Sequence, residues 1–170
     1  MNEPTPNPQE MNALMAVANL QRQVKTGANN YYWIAGLSII NSLGALFDLG
    51  INFVIGLGLT QVIDGIAYGI AEGIPEANTM IRVFGMVASI SVSALFVLFG
   101  YFAVKGHRWA FIVGMVLYSL DALLALAFQD WFGFGFHLFL LWGVYGGFKA
   151  LKALQSLLSQ KSEPTFEILS

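Results

Sequence analysis

The chain contains no cysteine, and only 11% of its 170 residues are charged. The first absence excludes a disulfide framework and any thiolate metal centre. Two histidines, His107 and His137, offer little basis for a histidine metal cluster, so no metal or cofactor is expected. The scarcity of charge says more. A soluble domain carries about 25% charged residues. A chain that is 56% hydrophobic, with mean hydropathy +0.65, cannot cover its surface in water. In lipid the difficulty disappears, because the outside of a helical bundle can be as apolar as its inside. A net charge of −2 gives no reason to expect a nucleic-acid partner. Residues 1–30 lack the cationic and then apolar order of a signal peptide, so the first apolar run is expected to act as its own insertion signal.

What is present is a set of long apolar runs at 31–47, 53–71, 80–104, 109–128 and 131–148. Cations lie almost only between or beyond them. Arg22 and Lys25 precede the first, Lys105 and Arg108 share one short loop, and Lys149, Lys152 and Lys161 follow the last. Such asymmetry places the cation-rich segments in the cytoplasm. The acidic turn at Gln129 and Asp130 then lies outside, so the last two runs form a hairpin and 80–104 starts outside. With the N-terminal segment inside, residues 31–79 must cross an odd number of times, yet they hold two apolar runs.

The second of these is the one expected not to cross. Gln61, Asp64, Tyr68 and Glu72 share a helical face, with Ile63, Ile66 and Ile70 opposite, and Gly56 and Gly58 interrupt the run. The expected fold is therefore all-α, an integral membrane helical bundle. It has four transmembrane helices plus an outer amphipathic or re-entrant segment around 53–72. The alternative is five transmembrane helices, with the polar face of 53–71 turned into the bundle and the N-terminus outside.

At the N-terminal end, Asn7, Pro8 and Glu10 form a helix start with capping-box spacing. Met11, Leu14, Met15, Val17 and Ala18 give a modest apolar stripe. An amphipathic cytoplasmic helix over 8–25 is expected, broken at 27–30 before the first span. The chain divides into a cytoplasmic segment 1–30, a transmembrane domain 31–155 and a cytoplasmic tail 156–170 that frays over 162–170. The short loops suit a multi-pass protein of a cell membrane, such as a bacterial inner membrane, with both termini cytoplasmic.

Ionisable groups inside a membrane are costly, so each needs a reason. Asp121 lies about 10 Å from the outer end of its run. His137, Asn41 and Arg82 fall at similar depth on three other runs. Tyr118 shares a helical face with Asp121 at i, i+3, and Ser89 is a further hydrogen-bonding group. Together Asn41, Arg82, Ser89, Tyr118, Asp121 and His137 form a candidate intramembrane polar site, with Asp121 paired to Arg82 or to His137. The site would pass a proton or bind a small polar solute. In the plainer reading, one buried ion pair fixes helix register. Asp48, Asp64, Glu72, Glu76 and Asp130 are expected to face water on the outer side.

Three stripes of small residues complete the inventory. They are Gly65, Gly69 and Gly73; Gly85, Ser89 and Ser93; and Gly143, Gly146 and Gly147. Such stripes let helix backbones approach closely, within a bundle or between molecules. Trp131, Phe132, Phe134 and Phe136 read as an interfacial aromatic belt. No hydrolase, phosphate-binding or zinc-protease motif occurs in the sequence, and His107 and His137 fall at different depths, which excludes a bis-histidine haem site within one chain.

Two functions are consistent with these features. One is a non-enzymatic membrane protein acting by association, as an accessory subunit or self-assembling scaffold. Its partners would be the lipid bilayer and either its own copies or another membrane protein. The other is a small proton- or cation-linked transporter or channel built on the polar site. The topology is open to test because the chain is free of cysteine. Single cysteines at Asn7, Asn78 and Ser162 are expected to react with an impermeant thiol reagent only at Asn78 in intact cells. Outside labelling at Asn7 as well means five spans.

Overall fold

The computed structural model describes residues 7–47, 49 and 56–162. Asp48, residues 53–55 of the second apolar run, the first six residues and the tail from 163 lie outside the described residues. Among those described, the chain is all-α. It comprises α1 (Pro8–Leu46), α2 (Gly58–Gly73), a 3-10 turn at Pro75–Ala77, α3 (Asn78–Val104), α4 (Arg108–Ala127) and α5 (Trp131–Ser162).

The start of α1 is a capping box. Asn7 Oδ1 accepts from the Glu10 N–H at 2.9 Å, and the Asn7 N–H donates to Glu10 Oε2 at 3.0 Å. The break expected at 27–30 does not occur, because α1 is one helix of 39 residues. Tertiary contact explains the difference. A Cβ added at Gly27 would lie 2.5 Å from Gly147 Cα on α5, and one added at Gly143 would lie 2.5 Å from Asn30 Nδ2. Here glycine and asparagine serve a tight helix crossing, which outweighs a helix-propensity cost of about 1 kcal/mol. The boundary expected at 30/31 therefore falls inside a continuous helix.

The remaining turns follow local chemistry. Asn78 Nδ2 donates to Ala71 O at 3.0 Å and ties α2 to the start of α3. Gly106, at φ 85°, lets the chain reverse between α3 and α4. Asp130 Oδ1 accepts from the Gly133 N–H at 2.8 Å and caps α5.

The core centres on Tyr31, whose hydroxyl donates to Phe111 O at 2.9 Å while Phe96, Phe99 and Phe111 surround the ring. Gly114 gives that ring its place, since an added Cβ there would meet Tyr31 Cζ at 2.5 Å. α1 packs between α3 and α5, α4 closes the other side, and α2 lies against α3 and the end of α1.

Two helices are long and apolar enough to cross a membrane by length and composition, Pro75–Val104 and Arg108–Ala127. Much of their surface is uncovered, with Phe84, Val87, Leu98, Ile112, Val116, Leu120 and Leu123 all exposed. Exposed apolar area on this scale supports association with a membrane. The expected spans in α1 and α5 fall short of the same measure. Asn30, Ser38, Asn41 and Ser42 dilute the apolar stretch of α1, and His137 with several glycines dilutes that of α5. α2 has 16 residues, so it is about 24 Å long, less than the roughly 30 Å of a hydrocarbon core.

The α1–α5 crossing yields a paired prediction. Gly27→Ala should lower stability by about 1–3 kcal/mol, because backbone lies where the methyl must go. Gly36→Ala, in the same helix with nothing within 4 Å of the new Cβ, should be neutral or stabilising by up to about 1 kcal/mol. Thermal melting of the two purified variants checks the contrast.

Candidate functional site

The first turn of a helix leaves backbone N–H groups with no intrahelical partner. In α2 that turn lies against the bundle, with Leu57 and Thr60 buried, and other helices supply the partners. The Leu57 N–H donates to Ser38 Oγ of α1 at 2.7 Å. The Gly58 and Leu59 N–H groups donate to the two carboxylate oxygens of Asp121 of α4, each at 2.8 Å. Thr60, fully buried, turns its hydroxyl back to Leu57 O at 2.7 Å. A carboxylate here also meets the positive end of the helix dipole.

His137 of α5 completes the arrangement. Its Nε2 lies 2.8 Å from Asp121 Oδ2 and its Nδ1 lies 2.7 Å from Gly133 O. A carbonyl oxygen only accepts, so Nδ1 carries a hydrogen. One further proton lies between Nε2 and the carboxylate. Both Asp121 oxygens already accept backbone N–H groups, and the proton shared with Nε2 completes the bonded set. Tyr118, one helical turn before Asp121, stacks on the imidazole at 4.6 Å between ring centroids with 24° between planes.

α3 contributes from the other side. Ser89 Oγ donates to Asp64 Oδ1 at 2.8 Å and lies 3.2 Å from Thr60 O, and Ser93 Oγ donates to Ser89 O at 2.9 Å. Asn41 is buried next to Gly56, where an added Cβ would meet its Nδ2 at 3.0 Å. Polar side chains of all four long helices thus converge on residues 56–60, with His137 acting through Asp121.

Of the two partners considered for Asp121, the structure brings in His137. Arg82 stands apart, with its guanidinium 4.2 Å over the Tyr68 ring. Its Nε and the Ser42 Oγ are both buried without a hydrogen-bond partner. They line one cavity of about 10 Å³ together with Asp64, room for a single water. Asp64, expected to face water, is half-buried against Ser89 instead. The polar side of α2 carrying Asp64 and Tyr68 therefore turns towards α1 and α3. Glu72, Glu76 and Asp130 are exposed.

Sequence reasoning missed Ser38, Thr60 and the backbone of Gly58 and Leu59. Ser38 also bonds the Ile34 carbonyl at 2.8 Å, the ordinary habit of a helical serine, so its type alone carries no signal. Backbone donors have no signature in sequence at all.

The small-residue stripes divide. Gly85 packs on Ala67, Gly147 on Gly27, Gly143 under Asn30, and Ser93 is buried. Gly65, Gly69, Gly73 and Gly146 have nothing within 4 Å of where a Cβ would stand. Beside Gly65 a groove of about 430 Å³ runs between α2, α4 and α5, reaching Gln61, Leu124, Phe128, Asp130 and His137. Among the described residues, no group of three acidic or histidine side chains is placed to hold a metal ion. No protein-family model, no curated protein and no solved structure matches the chain.

With Asp121 tied to three donors, its replacement should disturb the fold before anything else. Asp121→Asn keeps the shape but loses the charge and one acceptor. It should lower stability by about 2–4 kcal/mol, seen as a drop in melting temperature in detergent. An unchanged melting temperature would mean that the carboxylate is no structural cap, and would favour a role in moving a proton or solute.

Proposed function

We propose that this protein is a multi-pass integral membrane protein that acts by association, as a self-assembling scaffold or an accessory subunit. In this reading α1, α3, α4 and α5 cross a cell membrane and α2 is a re-entrant half-helix. The cation-rich ends are cytoplasmic and the turn at Gln129 and Asp130 is outside. Support for the re-entrant assignment comes from the short length of α2 and from the bonds that tie its first turn to α1 and α4.

The observation that carries the association reading is the open face of α2. Gly65, Gly69 and Gly73 repeat at i, i+4 with nothing over them, flanked by exposed Ile66 and Ile70. The other stripes are largely used inside the bundle. A bare glycine ridge in lipid lets a second helix approach to backbone contact, and the flanking isoleucines supply the packing surface. The polar cluster fits the same reading. Its carboxylate, imidazole and backbone donors satisfy one another.

A second reading, a small proton- or cation-linked transporter, draws on one observation, the groove that reaches His137 and Asp130 from the side of α2. The two readings separate on α2. Gly69→Leu adds bulk where the molecule itself has space, so the protomer should melt at an unchanged temperature. Self-association, or recovery of a partner after cross-linking in native membranes, should fall by about five- to thirty-fold, the scale of the 1–2 kcal/mol typical of intramembrane helix contacts. A wild-type protein that is monomeric and recovered alone from cross-linked membranes overturns the association reading.

A further inference from the structure

At the opposite end of the bundle, α1 and α5 enclose a crevice of about 420 Å³. One wall carries Asn19, Arg22, Gln23 and Thr26, which share a face of α1 at helical spacing. The other is a floor of glycine, Gly143 and Gly146, just beyond the tight contact of Gly27 with Gly147. The crevice exists because that contact draws the helices together while Gly146 leaves the floor bare.

Its chemistry is one-sided. The α1 wall offers a guanidinium, two carboxamides and a hydroxyl, and no acidic side chain lines the space. Among the described residues Arg22 makes no ion pair. An uncommitted arginine fork beside neutral donors suits a phosphate with its oxygens exposed. Lys149, exposed, lies one turn from Gly146 on α5. Exposed Trp142 and Tyr145 flank the floor, as aromatics do at the level of lipid headgroups. Gly146, with nothing within 4 Å of where a Cβ would stand, leaves room for an apolar chain running from the phosphate along the helix backbone.

We infer that this crevice is a binding site for one anionic phospholipid, its phosphate held by Arg22, Asn19, Gln23 and Thr26 and its glycerol and acyl portion lying over Gly146. The inference rests on the membrane reading above, which puts this end of the bundle at the cytoplasmic leaflet, where anionic lipids concentrate.

Native mass spectrometry of the detergent-purified protein tests it, with phosphatidylglycerol, phosphatidylcholine or inorganic phosphate added in turn. The wild type should retain one phosphatidylglycerol, and little phosphatidylcholine under the same conditions. Arg22→Gln should lower retention about five-fold, the effect of one basic residue at an anionic surface. Gly146→Leu, which fills the floor and leaves the charge, should lower it as well. Lys25→Gln, outside the crevice, should not. Equal retention of the two lipids overturns the inference, as does wild-type retention in both crevice variants. Displacement of the lipid by millimolar inorganic phosphate overturns the lipid assignment in favour of a free phosphate site. A chain that leaves the membrane fraction without detergent refutes the membrane reading itself. One that stays in membranes yet retains no phosphatidylglycerol refutes only the lipid site.

Discussion

A single carboxylate fixes the inner end of α2. Burying the start of a helix leaves backbone donors away from water, and each unpaired donor costs about 1–3 kcal/mol. Asp121 takes two of them and Ser38 a third. The carboxylate is itself a buried charge, and His137 meets that second cost from the neighbouring helix. The chain of requirements then continues outward. The imidazole needs Gly133 O for its other nitrogen and lies flat against Tyr118. α2, α4 and α5 are thereby keyed to one another by polar contacts whose geometry allows little slippage. A hydrophobic interface of the same area would permit many registers. A buried ion pair is a poor source of net stability, since desolvation offsets most of its attraction. Its value here is positional.

Glycine plays two unlike parts in the same bundle. At Gly27, Gly114 and Gly147 the missing side chain is filled at once by backbone or by the Tyr31 ring, and the helices meet more closely than any other residue permits. At Gly65, Gly69 and Gly73 nothing enters the space. Glycine in the middle of a helix costs about 1 kcal/mol relative to alanine. For the first group internal packing offsets that cost. For the second it is uncompensated within the protomer.

Much of the architecture was legible because the physics is local or periodic. The capping box at Asn7 and Glu10, the turns near Gly106 and Asp130 and the long continuation of α5 follow from short-range chemistry. The shared depth of Asp121 and His137 was legible too, since depth is a count of residues at 1.5 Å each. Their pairing, rather than Asp121 with Arg82, was not, because it depends on which helices are neighbours. The unbroken course of α1 through Gly27 and Asn30 was hidden for a related reason. A glycine reads as a breaker until the partner that occupies its space, Gly147, is known. The inward turn of Asp64 escaped notice because amphipathicity says that two faces differ, without saying which one meets water. Two helices reach the length and apolarity of a membrane span. In α1 and α5 the residues that build the polar cluster and the glycine crossing weaken that signal.

The unbroken course of α1 has a mechanical consequence. A helix of 39 residues is about 58 Å long, roughly twice the thickness of a hydrocarbon core. It runs without a hinge from the Asn7 cap to the Ser38 hydroxyl that holds the Leu57 N–H. A helix this length resists bending far more than rotation about its axis or sliding along it. One continuous rod therefore joins the Asn7 cap to the residue that grips the root of α2.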